Sequence, residues 1–325
     1  AGGATVVSRA ASLTVAEASP LIPFEITDPH VFFYESFTIT VRLHSDGSTP
    51  RLPDGGVLEL GMQLYKASAR VHDGVAIFTI PADAFRPGTY YVTATYDGAG
   101  DPVFTSGYGQ TTQEIQRAFV SVDPQPLATR PVVGRPVDLT AIISQVQPGL
   151  QDGTGPRGYA LFYNGYQILD AANLDTPPHP PSLPSTVTGT ITFDRPGDYA
   201  IVVYYAGDDY NEPTASGNFF ITVDPAPTMI QVDPPDVRHV DYGAAASYTV
   251  TVLAEGSRPA SGVVTVTATD DAGAGPREYA LDARGRAVVP VRDLPAGGHV
   301  VTFAYSDPNG AYTSSQAAAA IGVSK

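Results

Sequence analysis

The chain has 325 residues, 43% of them apolar and 16% charged, with a net charge of −15 and no cysteine. That length and apolar content suffice for two or three buried cores and exclude a disordered polymer. Acid exceeds base throughout, which leaves nothing to drive binding to nucleic acid or an anionic membrane surface. Without cysteine there are no disulfides, thiolate metal sites or thiol nucleophiles.

No apolar run approaches the roughly 20 residues of a membrane span, so membrane insertion is not expected. The sequence opens on Ala1 rather than Met. That fits a mature secreted protein, an excised fragment, or removal of an initiator Met before a small residue. The 32 glycines and 30 prolines fall in short clusters, which suits many short strands joined by tight turns.

Taken in chain order, residues 1–22 form an N-terminal extension or assembly strand. Its segment AASLTVAEASP, at 10–20, reads like a closing strand and joint. Three fates are open to it: pairing with a neighbouring copy, folding back on the first unit, or fraying. Residues 23–123 make a first unit, with strands at FTITVRL, VLEL, VAIFTI and RPGTYYVTATY and a closing strand at AFVSV. Residues 124–224 repeat the series as VDLTAII, YALFY, TITF, RPGDYAIVVYY and FFITV. Residues 225–325 repeat it again as SYTVTVL, VVTVTAT, RAVVPV, PAGGHVVTFAY and AAIGV. Within the second unit, DTPPHPPSLPST at 175–186 is a proline-rich insertion, read as an exposed polyproline-like spacer loop. No segment carries a convincing helical period.

The frame repeats about every 100 residues, the length of one β-sandwich. Gly88, Gly197 and Gly297 are each followed two residues later by Tyr90, Tyr199 or His299, and eight residues later by Tyr96, Tyr205 or Tyr305. Alternation sets Tyr199, Ile201, Val203 and Tyr205 on one face of a strand and Ala200, Val202 and Tyr204 on the other. The sequence V-D-P-x-P occurs at 122–126 and 223–227, where it is read as a stiff joint between units. The fold class is therefore all-β: three tandem β-sandwich domains in an extended rod.

The Gly-x-Tyr spacing resembles the tyrosine corner of immunoglobulin-type sandwiches, which makes Tyr90, Tyr199 and His299 structural candidates. In that frame Val92, Ile201 and Val301 stand where antibody-like domains place a cysteine. The runs VVGRPVDLTAII, GYALFYNG and GTITFDRPGDYAIVVYYAGDDYNEPTASGNFFITV resemble bacterial immunoglobulin-like repeats. Such repeats occur in strings on secreted and surface proteins and also in phage virions. The resemblance implies a non-catalytic structural or adhesive protein, extracellular or at the cell surface, such as a stalk, surface layer or fibre subunit. Its implied partners are other copies of itself or other surface proteins. A virion component is the alternative setting, and a glycan-binding module the alternative class.

Asp208, Asp209 and Glu212 supply hard oxygen ligands, so calcium is the candidate cation there, with Asp123 or Asp224 able to join from a junction. The competing reading is a solvated turn. Adjacent carboxylates do not make the separated pair of a glycosidase, the histidines are scattered, and no nucleophile elbow or phosphate loop occurs. An enzyme is not expected, and no cofactor beyond calcium. For glycans the candidate platforms are Tyr159, Tyr163, Tyr166, Tyr204 and Tyr210, because flat rings with a polar edge stack on sugars. Lys66 is the only lysine before Lys325, and the first unit has no asparagine, which excludes a Lys–Asn isopeptide bond there.

Overall fold

A computed structural model of the chain describes residues 17–325 other than 19, 22, 27–29, 46, 48, 148–154, 175–183, 236, 257 and 270–274. The proline-rich insertion therefore lies largely outside the described residues, as does most of the N-terminal extension. Among the described residues every regular element is a strand. The alternating Val, Ile, Thr and Tyr residues bury one face and leave the other half-covered, as a pleated strand requires.

The first eight strands are β1 (Phe24–Ile26), β2 (Val31–Phe32), β3 (Phe37–Arg42), β4 (Val57–Met62), β5 (Tyr65–Arg70), β6 (Val75–Ile80), β7 (Gly88–Asp97) and β8 (Gly107–Gln116). They form a three-stranded sheet, β1-β3-β6, facing a five-stranded sheet, β2-β8-β7-β4-β5. The next eight are β9 (Phe119–Pro124), β10 (Pro136–Gln147), β11 (Tyr159–Asn164), β12 (Gln167–Asn173), β13 (Ser185–Thr192), β14 (Gly197–Tyr205), β15 (Thr214–Ala215) and β16 (Phe219–Val223). Here β13-β10-β9 faces a sheet in which β12, β11 and β14 lie side by side and β15 and β16 both pair with β14. The last eight are β17 (Thr228–Asp233), β18 (Arg238–Asp241), β19 (Ala246–Ala254), β20 (Val263–Ala268), β21 (Arg277–Ala280), β22 (Arg286–Val291), β23 (Gly297–Ser306) and β24 (Ser315–Ser324). They repeat the plan as β17-β19-β22 against β18-β24-β23-β20-β21.

In each series the chain begins at the edge of the small sheet and then crosses to the large one. There it runs parallel to the last strand: β2 beside β8, β18 beside β24, and Val132 bridged to Asp224. Parallel pairing of a first and last segment closes a sandwich of immunoglobulin type. Three hydrophobic cores fill the three pairs of sheets. Val92, Ile201 and Val301, at the cysteine position of antibody-like domains, are fully buried, so packing alone joins the sheets at this point.

Two expectations from the sequence need correction. The run AFVSV does not close the first unit: β9 pairs antiparallel with β10 and opens the second. A boundary at 123/124 would cut through that strand, and the last strand of the first sandwich is β8. The reason is that V-D-P ends a first strand as readily as a last one. Proline has no N–H and terminates a ladder at either place. Val122-Asp123-Pro124 thus matches Val232-Asp233-Pro234 at the end of β17, whereas only Val223-Asp224-Pro225 lies between sandwiches. The N-terminal extension also ends earlier than residue 22. Ala18 bonds Val103 and Thr105, and Leu21 exchanges two backbone bonds with His44, so both belong to the first sandwich.

At each corner the recurring glycine has a left-handed φ, +151° at Gly88, +134° at Gly197 and +142° at Gly297, which explains why only glycine recurs there. Two residues on, the Tyr90 hydroxyl donates to the Arg86 carbonyl at 2.8 Å and Tyr199 to Arg195 at 2.8 Å. His299 occupies the same place with Nε2 2.7 Å from the Pro295 carbonyl, and its Nδ1 lies 3.0 Å from the Thr269 carbonyl. A neutral imidazole has one N–H and serves one of these acceptors at a time.

Tyr248 shows the opposite situation. Its ring fills the third core, with the Arg238 guanidinium 5.9 Å from the ring centroid, but its buried hydroxyl has no hydrogen-bond partner. Tyr199→Phe is therefore expected to cost about 1 kcal/mol, while Tyr248→Phe is neutral or stabilising by about 1 kcal/mol. Denaturant melts of the two variants check the difference in sign.

Candidate functional site

The strands that begin at the corner carry a fully buried tyrosine, Tyr96, Tyr205 or Tyr305, at their last or next-to-last residue, and the following loop is organised by one aspartate. In the first sandwich, Asp101 Oδ2 accepts from the Tyr96 hydroxyl at 3.1 Å and the Asp54 amide at 2.8 Å. Its Oδ1 accepts from the Val103 and Phe104 amides. In the second, Asp208 Oδ2 accepts from the Tyr205 hydroxyl and the Arg157 amide, each at 2.9 Å. Its Oδ1 takes the Tyr210 and Asn211 amides, and the Asn211 side chain donates to both oxygens. In the third, Asp307 holds the Asn309, Ala311 and Tyr312 amides, while Tyr305 donates to the Ser261 carbonyl instead.

Burial pushes the Tyr96 and Tyr305 hydroxyls well above the ordinary phenol value, helped by Asp101 and Asp307 respectively. For Asp101, burial acts to raise the carboxyl. The amides of Asp54, Val103 and Phe104 and the Tyr96 hydroxyl outweigh it and hold the group below its ordinary 3.8. A carboxyl depressed in the folded state contributes stability above its unfolded pKa. That contribution is lost as the pH falls through the lower, folded value. Melts of the parent from about pH 5 to about pH 2 are expected to show an acid-linked loss that Asp101→Asn lacks.

The three residues named for calcium, Asp208, Asp209 and Glu212, are placed differently from one another. The Asp208 carboxylate is surrounded by N–H and O–H donors, which direct positive dipoles at the place a cation would occupy. Asp209 and Glu212 turn instead toward a cleft of about 540 Å3 that they share with Arg86 and Arg117. Among the described residues no three acidic or histidine side chains converge to hold a metal. Asp123 is engaged by Gln125, and Asp224 pairs with Arg130 at 3.5 Å.

The same loops carry the joints. Before each first strand a buried alanine makes two backbone bonds to the loop of its own sandwich. Ala18 bonds Val103 and Thr105, Ala118 bonds Tyr210 and Glu212, and Ala226 bonds Ala311 and Thr313. The loop then meets the corner end of the preceding sandwich. At the first joint, Tyr210 stacks on Phe33 with ring centroids 4.8 Å apart, and the Arg86 guanidinium lies 5.7 Å over the same ring. Phe32 and Phe119 meet edge to face at 5.1 Å beside it.

At the second joint Ala311 and Tyr312 pack against the second core, and two ion pairs lie at its rim. Arg135 pairs with Glu255 at 2.7 Å and Arg258 with Asp194 at 3.0 Å, all four side chains being about half exposed or more. Gly256, at φ +128°, lies against Val133 and Gly134, where a Cβ would stand 3.2 Å from backbone atoms.

Of the five tyrosines singled out for glycans, Tyr210 is consumed by the first joint and Tyr166 stands fully exposed on the β11–β12 hairpin. Tyr159, Tyr163 and Tyr204 lie together on the outer face of the large second sheet. Register defines that face. One row runs Ala171, Leu161, Tyr204, Ala215, a second Ile168, Tyr163, Val202, and a third Ala200, Phe220.

The matching rows of the first sandwich read Ser68, Glu59, Thr95, Tyr108 and Lys66, Gly61, Thr93, Gln110. Those of the third read Glu278, Thr265, Ala304, Gln316 and Thr267, Thr302, Ala318. In these three rows the second sandwich carries no acid, base, amide or aliphatic hydroxyl, while the flanking rows of the same face hold Asn173 beside Tyr159 and Asp198 beside Thr222.

No protein-family model matches the chain, and no curated protein matches it in sequence. Among solved structures it is similar to the D1–D4 ectodomain fragment of ICAM-5, at 16% identity over 93% of this chain and 76% of that one, with a TM-score of 0.44. It is also similar to the three N-terminal domains of the highly immunogenic outer capsid protein of bacteriophage RB49, at 15% identity over 95% and 99%, TM-score 0.30. A third is a titin fragment, at 14% identity over 93% and 97%, TM-score 0.32. These scores are low, and the sandwich architecture rests on the strand pairing itself.

Proposed function

We propose that the chain is a non-catalytic structural spacer of three immunoglobulin-like domains stacked end to end, at about residues 17–117, 118–225 and 226–325. The observation that carries this is the polarity of the joints. In both, the loop end of one sandwich sits on the corner end of the one before: Tyr210 on Phe33 and Arg86, then Glu255 and Arg258 on Arg135 and Asp194. Contacts between opposite poles stack units in line, whereas contacts between like poles or side faces would fold them back.

The aspartates that recur in the loops support a mechanical role, since their oxygens accept from the loop's own amides. The resemblance of the sequence to bacterial immunoglobulin-like repeats supports an extracellular or cell-surface setting, with a virion exterior as the alternative. Its partners in that setting are further copies of the chain or other surface proteins. Electron micrographs of negatively stained protein test the proposal: in-line particles of three beads are expected, and single round particles would contradict it.

A further inference from the structure

We infer that Asn164 is a modification site: its side-chain amide deamidates through a cyclic imide formed with the backbone nitrogen of Gly165, at the tip of the β11–β12 hairpin. The site is independent of how the three sandwiches are stacked. Its basis is a contrast between two copies of one dipeptide. Asn-Gly occurs twice in the chain, at 164–165 and 309–310. Glycine is the follower that makes the reaction fast, because it has no side chain to keep the asparagine Cγ away from the next backbone nitrogen. What differs between the two places is whether that nitrogen is free to attack.

At the hairpin it is free. Asn164 pairs with Gln167, so Gly165 and Tyr166 form a two-residue turn outside the ladder. Gly165 has a φ of +58°, a Cβ on it would meet nothing within 4 Å, and Tyr166 is fully exposed. Among the described residues nothing accepts from the Gly165 N–H, and no hydrogen bond holds the Asn164 side chain. The strand register also shifts between Phe162 and Tyr163, which leaves only the Tyr163–Ile168 and Asn164–Gln167 pairs between that irregularity and the tip. In the third sandwich the same nitrogen is engaged. The Gly310 N–H donates to the Asp307 carbonyl at 3.1 Å, and the Asp307 carboxylate holds the amides of Asn309, Ala311 and Tyr312 around it. That nitrogen must leave its bond before it can attack, so the Asp307 loop protects Asn309.

The step needs only water. The Gly165 nitrogen gives its proton to solvent and bonds to Asn164 Cγ, the Cγ–Nδ2 bond breaks, and the amide nitrogen leaves as ammonia. Water then opens the imide at one carbonyl or the other, leaving aspartate or isoaspartate. Nothing is oxidised or reduced, and the chain exchanges an amide for a carboxylate. In isoaspartate the main chain runs through Cβ and Cγ, a lengthening that the two-residue turn between Asn164 and Gln167 does not accommodate.

Peptide mapping of the full chain, incubated folded in mildly alkaline buffer and in parallel unfolded in guanidinium, tests this. Dividing each folded rate by its unfolded rate removes the influence of local sequence. Asn309 is expected to be slowed about tenfold more than Asn164, the factor that one ordinary hydrogen bond supplies. Asn164→Gln should abolish the first acidic form of the folded chain, because glutamine has to close a larger ring, and Asp307→Ala should make Asn309 reactive. Equal slowing at the two places, greater slowing at Asn164, or an Asn309 that stays inert in Asp307→Ala overturns the assignment. An acidic form that persists unchanged in Asn164→Gln places the modification elsewhere and overturns it as well.

Discussion

Replacing Asp208 by alanine is expected to cost the second sandwich about 3 kcal/mol, while Asp209→Ala, one residue on, costs less than about 0.5 kcal/mol. The two carboxylates are neighbours in sequence and opposites in structure. Asp208 accepts from the buried Tyr205 hydroxyl, the side chain of fully buried Asn211, and three backbone amides. Its removal strands several donors at once, and a stranded buried donor costs more than the bond it made. Asp209 is exposed and makes no comparable set of bonds. Denaturant melts of the two variants read the difference; equal effects would show that the loop is not built on Asp208.

The two joints are expected to respond oppositely to salt. Raising the ionic strength to about 1 M shortens the screening length to about 3 Å and removes most of what the exposed Arg135–Glu255 and Arg258–Asp194 pairs contribute, at most about 1 kcal/mol each. The first joint, made of Phe33, Tyr210, Phe32 and Phe119, keeps its apolar contacts and tightens slightly, if it changes. Spin-label pairs placed across each joint should therefore show a broader distance distribution at high salt across the second joint alone. Tyr210→Ala should broaden the first at any salt. Gly256→Ala should open the second by setting a methyl group against the Val133–Gly134 backbone. Identical salt responses at the two joints would contradict this division.

Much of this architecture is legible in the sequence because it rests on local rules. The alternation in β14 sorts Ile201, Val203 and Tyr205 inward, and the structure buries all three. The corner is legible because a left-handed φ demands glycine, so Gly88, Gly197 and Gly297 mark it three times.

The aspartate nodes are not legible. The distance from the last buried tyrosine to the acid is five residues at Asp101, three at Asp208 and two at Asp307, so no fixed spacing survives. AFVSV misleads for a related reason, since a first and a last strand look alike until their partner is known. The apolar rows are hidden more deeply still. Leu161, Tyr204 and Ala171 are far apart in the chain, and only the register of three strands lines them up.

The central claim is that the sandwiches stack in line through opposite poles, and small-angle scattering of dilute protein measures it most directly. The longest strands of the first and third sandwiches have 10 residues. At about 3.3 Å per residue, each sandwich is about 33 Å long and three in line about 100 Å, giving a radius of gyration of about 30 Å. A compact body of the same length in residues would give about 20 Å. A value near 30 Å, with a pair-distance distribution that tails out to about 100 Å, is the predicted result. A value near 20 Å with a symmetric distribution would mean that the sandwiches fold back on one another, and would contradict the account.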